Sequence, residues 1–165
     1  MPTFQATTLI KGTVKEIASF HHDTRALKRL TPPPVFVQLH SVPTPAADPL
    51  HEGSLADFTL WFGPFPIRWL AQHSQVNRES GFTDTQVRGP MQSWVHTHRW
   101  KAVDEHHTLL EDQIVYQHRP GWQGLLTRIL FAPPLLKIMF AYRHAVTQKT
   151  ISKPDSTARS LSSSI

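Results

Sequence analysis

Trp94, His96, His98 and Trp100 occupy every second position of the segment Trp94-Val95-His96-Thr97-His98-Arg99-Trp100. In a strand, side chains at i and i+2 share a face, so a strand here sets two imidazoles and two indoles in one row. The opposite row, Ser93, Val95, Thr97, Arg99 and Lys101, is polar and suits solvent. The Trp-His-His-Trp row is therefore expected to point inward. Further on, Leu110, Asp112, Ile114 and Tyr116 share a face, opposite Glu111, Gln113, Val115 and Gln117. If the two strands are neighbours, the imidazoles of His96 and His98, the Asp112 carboxylate and the Tyr116 phenol meet across the ladder.

Several chemistries fit such a group. A buried carboxylate without a partner is costly, and an imidazole relieves that cost, so the cluster could be a satisfied structural network. It could be a polar anchor in an apolar pocket, recognising a carboxylate, hydroxyl or carbonyl of a ligand. It could do acid–base work, with His96 or His98 as base oriented by Asp112. A metal would need these two imidazoles and Asp112 as three ligands of an open site, and the sequence offers no obvious fourth group. No metal and no cofactor are expected. The pairs His21-His22 and His106-His107 sit next to turns; adjacent residues on a strand point to opposite faces, so both pairs are expected to face solvent.

Composition narrows the classes. The 165 residues are 39% hydrophobic, which suits one globular core beside a short tail. There is no cysteine, which excludes disulfides, thiolate catalysis and cysteine-ligated metal. The formal charge of +5 is spread without a Lys/Arg run, so nucleic acid is not expected as a partner. Met1 to Ala6 has neither the charged start nor the apolar run of a signal peptide. No apolar stretch approaches the roughly 20 residues of a membrane span. The expectation is a cytoplasmic protein without an integral membrane segment.

The elements that must position the cluster follow from periodicity. Alternation from Phe4 to Ile10 predicts a strand. Helical spacing predicts short helices over Val14–His21 and Thr24–Leu30, the second capped by Asp23 or Thr24 and ended by Pro32-Pro33-Pro34. Strands are expected over Val35–His40, Leu55–Phe62, Ile67–Val76, Gly81–Val87, Met91–Val103 and His107–His118, with a proline-rich loop from Pro43 to Gly53. Consecutive antiparallel strands with short connections build a meander. Trp122–Thr147 reads as a long helix that Pro133-Pro134 kinks or splits. That helix has the mixed Leu, Phe and Lys/Arg content of a membrane-surface helix, but covering the sheet is the better reading. From Gln148 the chain turns to Ser, Thr, Lys and Pro, so a domain over 1–147 and a disordered tail over 148–165 are expected.

In this order of elements the chain resembles the START-like, helix-grip superfamily, also called SRPBCC or polyketide cyclase/dehydrase-like. More narrowly, it resembles small ligand-binding SRPBCC proteins described as cell-division inhibitors. The words that carry the resemblance are Leu30-Thr31-Pro32-Pro33, Glu52-Gly53, Ile67-Arg68-Trp69 and Phe82-Thr83-Asp84-Thr85-Gln86, followed by Gly89-Pro90-Met91 and Trp94-Val95-His96-Thr97-His98. Asp112-Gln113-Ile114-Val115-Tyr116 and Phe140-Ala141-Tyr142-Arg143 complete them. The loop from Pro43 to Pro49 and the serine-rich tail match nothing in the family.

The resemblance implies an α+β fold, a seven-stranded curved antiparallel sheet with two short helices, gripping a long C-terminal helix over a cavity. It implies a small hydrophobic ligand, lipid-, aromatic- or polyketide-like, with Phe58, Phe62, Trp69, Phe82, Trp94, Trp100 and Tyr116 lining its site and His96, His98 and Asp112 anchoring it. It supplies no catalytic set, and fold alone does not fix function. Three readings stay open: a binding module, a cyclase-, dehydratase- or hydrolase-type enzyme using His96, His98 and Asp112 as acid and base, and an interaction domain, homodimeric in one form, whose cavity is filled by side chains.

Overall fold

The computed structural model describes residues 1–23, 25–40 and 50–152. The expected loop over Pro43–Pro49, a cap at Thr24 and most of the expected tail lie outside these residues. The strands are β1 (Thr3–Lys11), β2 (Phe36–Leu39), β3 (Leu55–Phe62), β4 (Phe65–Asn77), β5 (Gly81–Arg88), β6 (Ser93–Ala102) and β7 (His107–Gln117). They form one sheet of order β1-β7-β6-β5-β4-β3-β2, every pair antiparallel. The meander runs from β2 to β7, and β1 closes on β7. Helices α1 (Val14–His22) and α2 (Ala26–Leu30) carry the chain from the β1 edge to the β2 edge. This is the helix-grip architecture.

Local chemistry explains the boundaries. Thr13 and Glu16 form a reciprocal capping box that starts α1. Register shifts between Leu70 and Ala71 and between Ser74 and Asn77 break the β4–β5 ladder, and Gln75 there has φ 53°. Such irregularities bend and twist a strand, which curls the sheet. At Gly81 (φ +129°) an added Cβ would sit 1.9 Å from the His98 carbonyl oxygen. Only glycine lets β5 approach the cluster-bearing strand there.

The expected long C-terminal helix is three pieces. A 3₁₀ turn (Gly121–Gly124) leads into α3 (Leu125–Leu130), and α4 (Pro133–Ile151) follows after a 43° bend. The expected split thus falls at the proline pair: Pro133 and Pro134 begin α4, where missing N–H groups cost little. The helix also continues past the expected end at Thr147, to Ile151.

Leu136, Phe140, His144 and Thr147 recur at helical spacing and form the buried face of α4. The Phe140 ring lies 5.3 Å from that of Phe4 on β1. Two buried clusters hold the fold. One gathers Phe58, Trp69, Trp94, Tyr116, Phe131 and Phe140; the other gathers Ile10, Ile17, Phe82, Trp100 and Leu110. Between sheet and helices a cavity remains. No single helix among the described residues is long and apolar enough to cross a membrane.

Candidate functional site

The alternation of β6 turns Trp94, His96, His98 and Trp100 inward; all four are buried. On β7, Leu110, Asp112, Ile114 and Tyr116 are buried in the same way. The register sets His98 opposite Asp112 on one side and His96 opposite Asp84 on the other. The anticipated meeting of His96, His98 and Asp112 therefore takes place, and further groups join it.

Asp112 is the hub. His96 Nε2 donates to its Oδ1 at 2.9 Å, and His98 Nδ1 lies 2.8 Å from the same oxygen. His144 Nε2, reaching down from α4, donates to Oδ2 at 2.8 Å. His98 Nε2 donates to Asp84 Oδ2 at 3.2 Å, so His98 bridges two carboxylates. His73 Nε2 lies 3.0 Å from Asp84 Oδ1, and its Nδ1 lies 2.9 Å from the Ser54 hydroxyl. One chain of polar contacts thus runs from Ser54 across β4, β5, β6 and β7 to α4.

Charge follows this wiring. Burial pushes the Asp112 carboxyl up, but contacts from His144, His96 and His98 more than reverse it and hold the acid well below its usual range. Asp84 is likewise ionised: burial opposes this, and His73 and His98 overcome it. Burial works against the His98 cation, but Asp112 and Asp84 flanking it push its pKa up. Burial, then the neighbouring His98 charge, lower His96 to about 4. The arrangement is two carboxylates that favour the charged form of His98 between them, with a neutral His96 at its side.

The cavity holds about 370 Å³, within the range of small-molecule sites. Phe58, Phe62, Trp69, Phe82 and Trp94 line it, with Leu136 and Met139 from α4. Trp69 and Trp94 meet edge to face at 5.5 Å, a fixed aromatic wall. His96, His98, His73, Asp84 and Arg143 line its polar part. His96 Nδ1 has no hydrogen-bond partner among the described residues; since Nε2–H is held by Asp112, Nδ1 carries the lone pair. The Arg143 guanidinium makes no hydrogen bond or ion pair among the described residues. Its Cζ sits 5.2 Å from the centre of the Phe140 ring. Burial lowers its pKa, while Asp112 and Asp84 act to hold the charge.

Three expected lining residues stand elsewhere. Trp100 packs in the second cluster, its indole N–H donating to the Arg78 carbonyl at 2.9 Å, because its place at the far end of the row carries it past the hollow. Tyr116 packs in the main core at the opposite end of its strand. Asp112 lies behind the histidines and not on the cavity wall, since three imidazoles cover its oxygens. The His21-His22 pair does not face solvent: the pair belongs to a helix. His22 is buried and His21 lines the cavity. The His21 Nδ1–H donates to the Ile17 carbonyl at 2.9 Å, and burial, then the His98 charge, lower its pKa to about 3. His106 and His107 do lie toward the surface.

Sequence reasoning missed His73, Asp84, Arg143 and His144. Period-two alternation could have found two of them, since His73 continues the inward row Ile67, Trp69, Ala71 and Asp84 follows Phe82. His144 stands four residues after Phe140 on the buried face of α4. Asp84, His96 and His98 each offer one ligand atom, all within 4.8 Å of one another, so these three could hold a divalent metal. Asp84 takes the place expected of Asp112, which backs both histidines in the manner of an outer-shell carboxylate.

No protein-family model matches the chain, and no curated protein matches it in sequence. Solved structures do. Protein CV1439 from Chromobacterium violaceum superposes with a TM-score of 0.70 at 11% identity, over 94% of this chain and 100% of that one. A protein from Thermus thermophilus, TTHA0849, gives 0.63 at 14% identity, over 92% and 100%. Norcoclaurine synthase from Thalictrum flavum, in complex with dopamine and hydroxybenzaldehyde, gives 0.65 at 13% identity, over 93% and 89%. These likenesses carry the helix-grip fold; the superfamily and the narrower resemblance rest on the sequence words alone.

Proposed function

We propose that this protein binds a small amphipathic molecule, its apolar body in the aromatic cavity and an acidic or hydrogen-bonding head at Arg143 and His96. The observation that carries the reading is the unpaired guanidinium of Arg143 on the wall of an otherwise largely apolar cavity. A half-buried cation that no anion touches keeps part of its desolvation cost, and a bound carboxylate or phosphate would offset it. His96 Nδ1 would accept from a hydroxyl beside it. The norcoclaurine synthase likeness supports a cavity of this kind accommodating aromatic molecules; it does not carry the reaction over. Native mass spectrometry of protein from its own host, followed by binding of a fatty acid against its matching alcohol, tests the reading. Acid binding at least about tenfold tighter than alcohol is expected. Failure of every apolar molecule to bind would sink it.

A second reading has its own observation. His96 presents a free lone pair to the cavity with a carboxylate behind it, the arrangement of a general base. Acid–base chemistry of the cyclase or dehydratase type would then use Asp112 to hold the His96 tautomer. Its test is turnover of a bound ligand by the wild type and not by His96→Gln, both binding equally.

A further inference from the structure

The 3₁₀ turn and α3 expose large apolar side chains in an unusual concentration. Trp122 is 84% exposed, Leu125 59%, Leu126 53% and Ile129 58%. Positions 122, 125, 126 and 129 follow the spacing that puts residues on one helical face. At this exposure the face is left uncovered by the described residues, so core packing does not explain it. Patches of this kind mark interaction sites.

The patch continues onto the start of α4. Leu135 and Ile138, the latter 64% exposed, both stand in solvent and both line the cavity. With Pro33, they mark where the hollow opens. The apolar surface and the cavity mouth are therefore continuous.

Charge selects the occupant. No acidic residue occurs between Asp112 and Asp155, while Arg119, Arg128 and Lys137 are exposed around the patch. A tryptophan and leucines among cations, with no anion, is the composition of a helix that lies in the headgroup region of an anionic bilayer. We infer that the turn Gly121–Gly124, α3 and the first turn of α4 dock this protein on an anionic lipid surface, with the cavity mouth facing the lipid. The inference goes beyond the ligand reading, because docking needs only the patch.

The test uses the full chain with vesicles of phosphatidylcholine alone and of phosphatidylcholine mixed with phosphatidylglycerol. Co-sedimentation is expected with the mixed vesicles, weakened by salt. Tryptophan emission should shift to the blue on binding, and Trp122→Phe should remove most of that shift, since Trp69, Trp94 and Trp100 are already buried and Trp61 is stacked on Phe36. Leu125→Ser with Ile129→Ser should abolish sedimentation with circular dichroism unchanged. Arg128→Gln with Lys137→Gln should weaken it roughly ten- to thirtyfold. Absence of binding to either vesicle overturns the inference, as does binding that the serine variant retains. Self-association that hides the patch while vesicles stay unbound overturns it too.

Discussion

His144 of α4 and Asp112 of β7 share a 2.8 Å hydrogen bond that ties the gripping helix to the sheet through buried polar atoms. The carboxylate simultaneously holds His96 and lies beside His98. A cavity and a polar cluster can coexist here because most of the cluster's polar atoms are engaged with one another, while His96 Nδ1 and Arg143 offer free groups to the cavity.

Removing the hub should therefore be expensive. Asp112→Ala leaves the buried His98 short of one of its two carboxylates and strips two further histidines, so a loss of about 3–5 kcal/mol is expected in urea denaturation. His144→Leu should cost less, about 1–3 kcal/mol, because Asp112 keeps His96 and His98. A hub variant within about 1 kcal/mol of the wild type, the worth of an ordinary hydrogen bond, would mean that the network does not hold the fold.

Arg143 should behave in the opposite sense. Arg143→Met keeps the stem and removes a half-buried charge with no ion pair among the described residues, so stability should stay within about 1 kcal/mol of the wild type or rise. Affinity for acidic ligands should fall about tenfold or more, and affinity for matching alcohols should stay. Calorimetric titration of both ligand types on both proteins reads this directly.

Filling the cavity separates ligand binding from folding. Ala71 is buried and lines the hollow, so Ala71→Phe would place a ring where the ligand lies. Displacement of an apolar fluorescent probe should disappear while the melting temperature moves by only a few degrees. Undiminished probe binding would place the ligand elsewhere.

Acid should weaken the fold in two windows. The His96 pKa falls from 6.5 to about 4 on folding, so the unfolded chain binds the extra proton between these values. Stability from keeping His96 neutral is present above about 6.5 and is lost as pH falls, about 3 kcal/mol by pH 4. His98, raised on folding, works the other way: its contribution is present below 6.5 and is lost as pH rises through its folded pKa. Below 3.8, protonation of Asp84 and Asp112 removes the rest. Denaturation across pH 7 to 4 should show the first decline, to which the lowered His21 also contributes, and His96→Gln should make it shallower without removing it.

Gly81 should tolerate no side chain. Gly81→Ala pushes a methyl carbon to 1.9 Å from the His98 carbonyl oxygen at φ +129°, so a loss of about 2 kcal/mol or more is expected. A neutral effect by thermal melting would show that β5 can move away from β6 freely.

Alternation alone determined which side of β6 and β7 faces inward, because a pleated strand offers only two faces and one of them is polar. It also determined where the strands begin and end to within a few residues, since glycine and proline punctuate them. What it could not reach was the third dimension of the cluster. His144 comes from a helix that crosses the sheet, and Asp84, on the inward row after Phe82, meets His98 only through the pairing of β5 with β6. Trp100 and Tyr116 share the inward rows but do not line the hollow, and a row's alternation is blind to where a lid stands off. The split at Pro133-Pro134 was visible, yet whether the apolar residues before it would be covered was not. Helical spacing reports that a face is apolar; only the packed structure decides what, if anything, meets it.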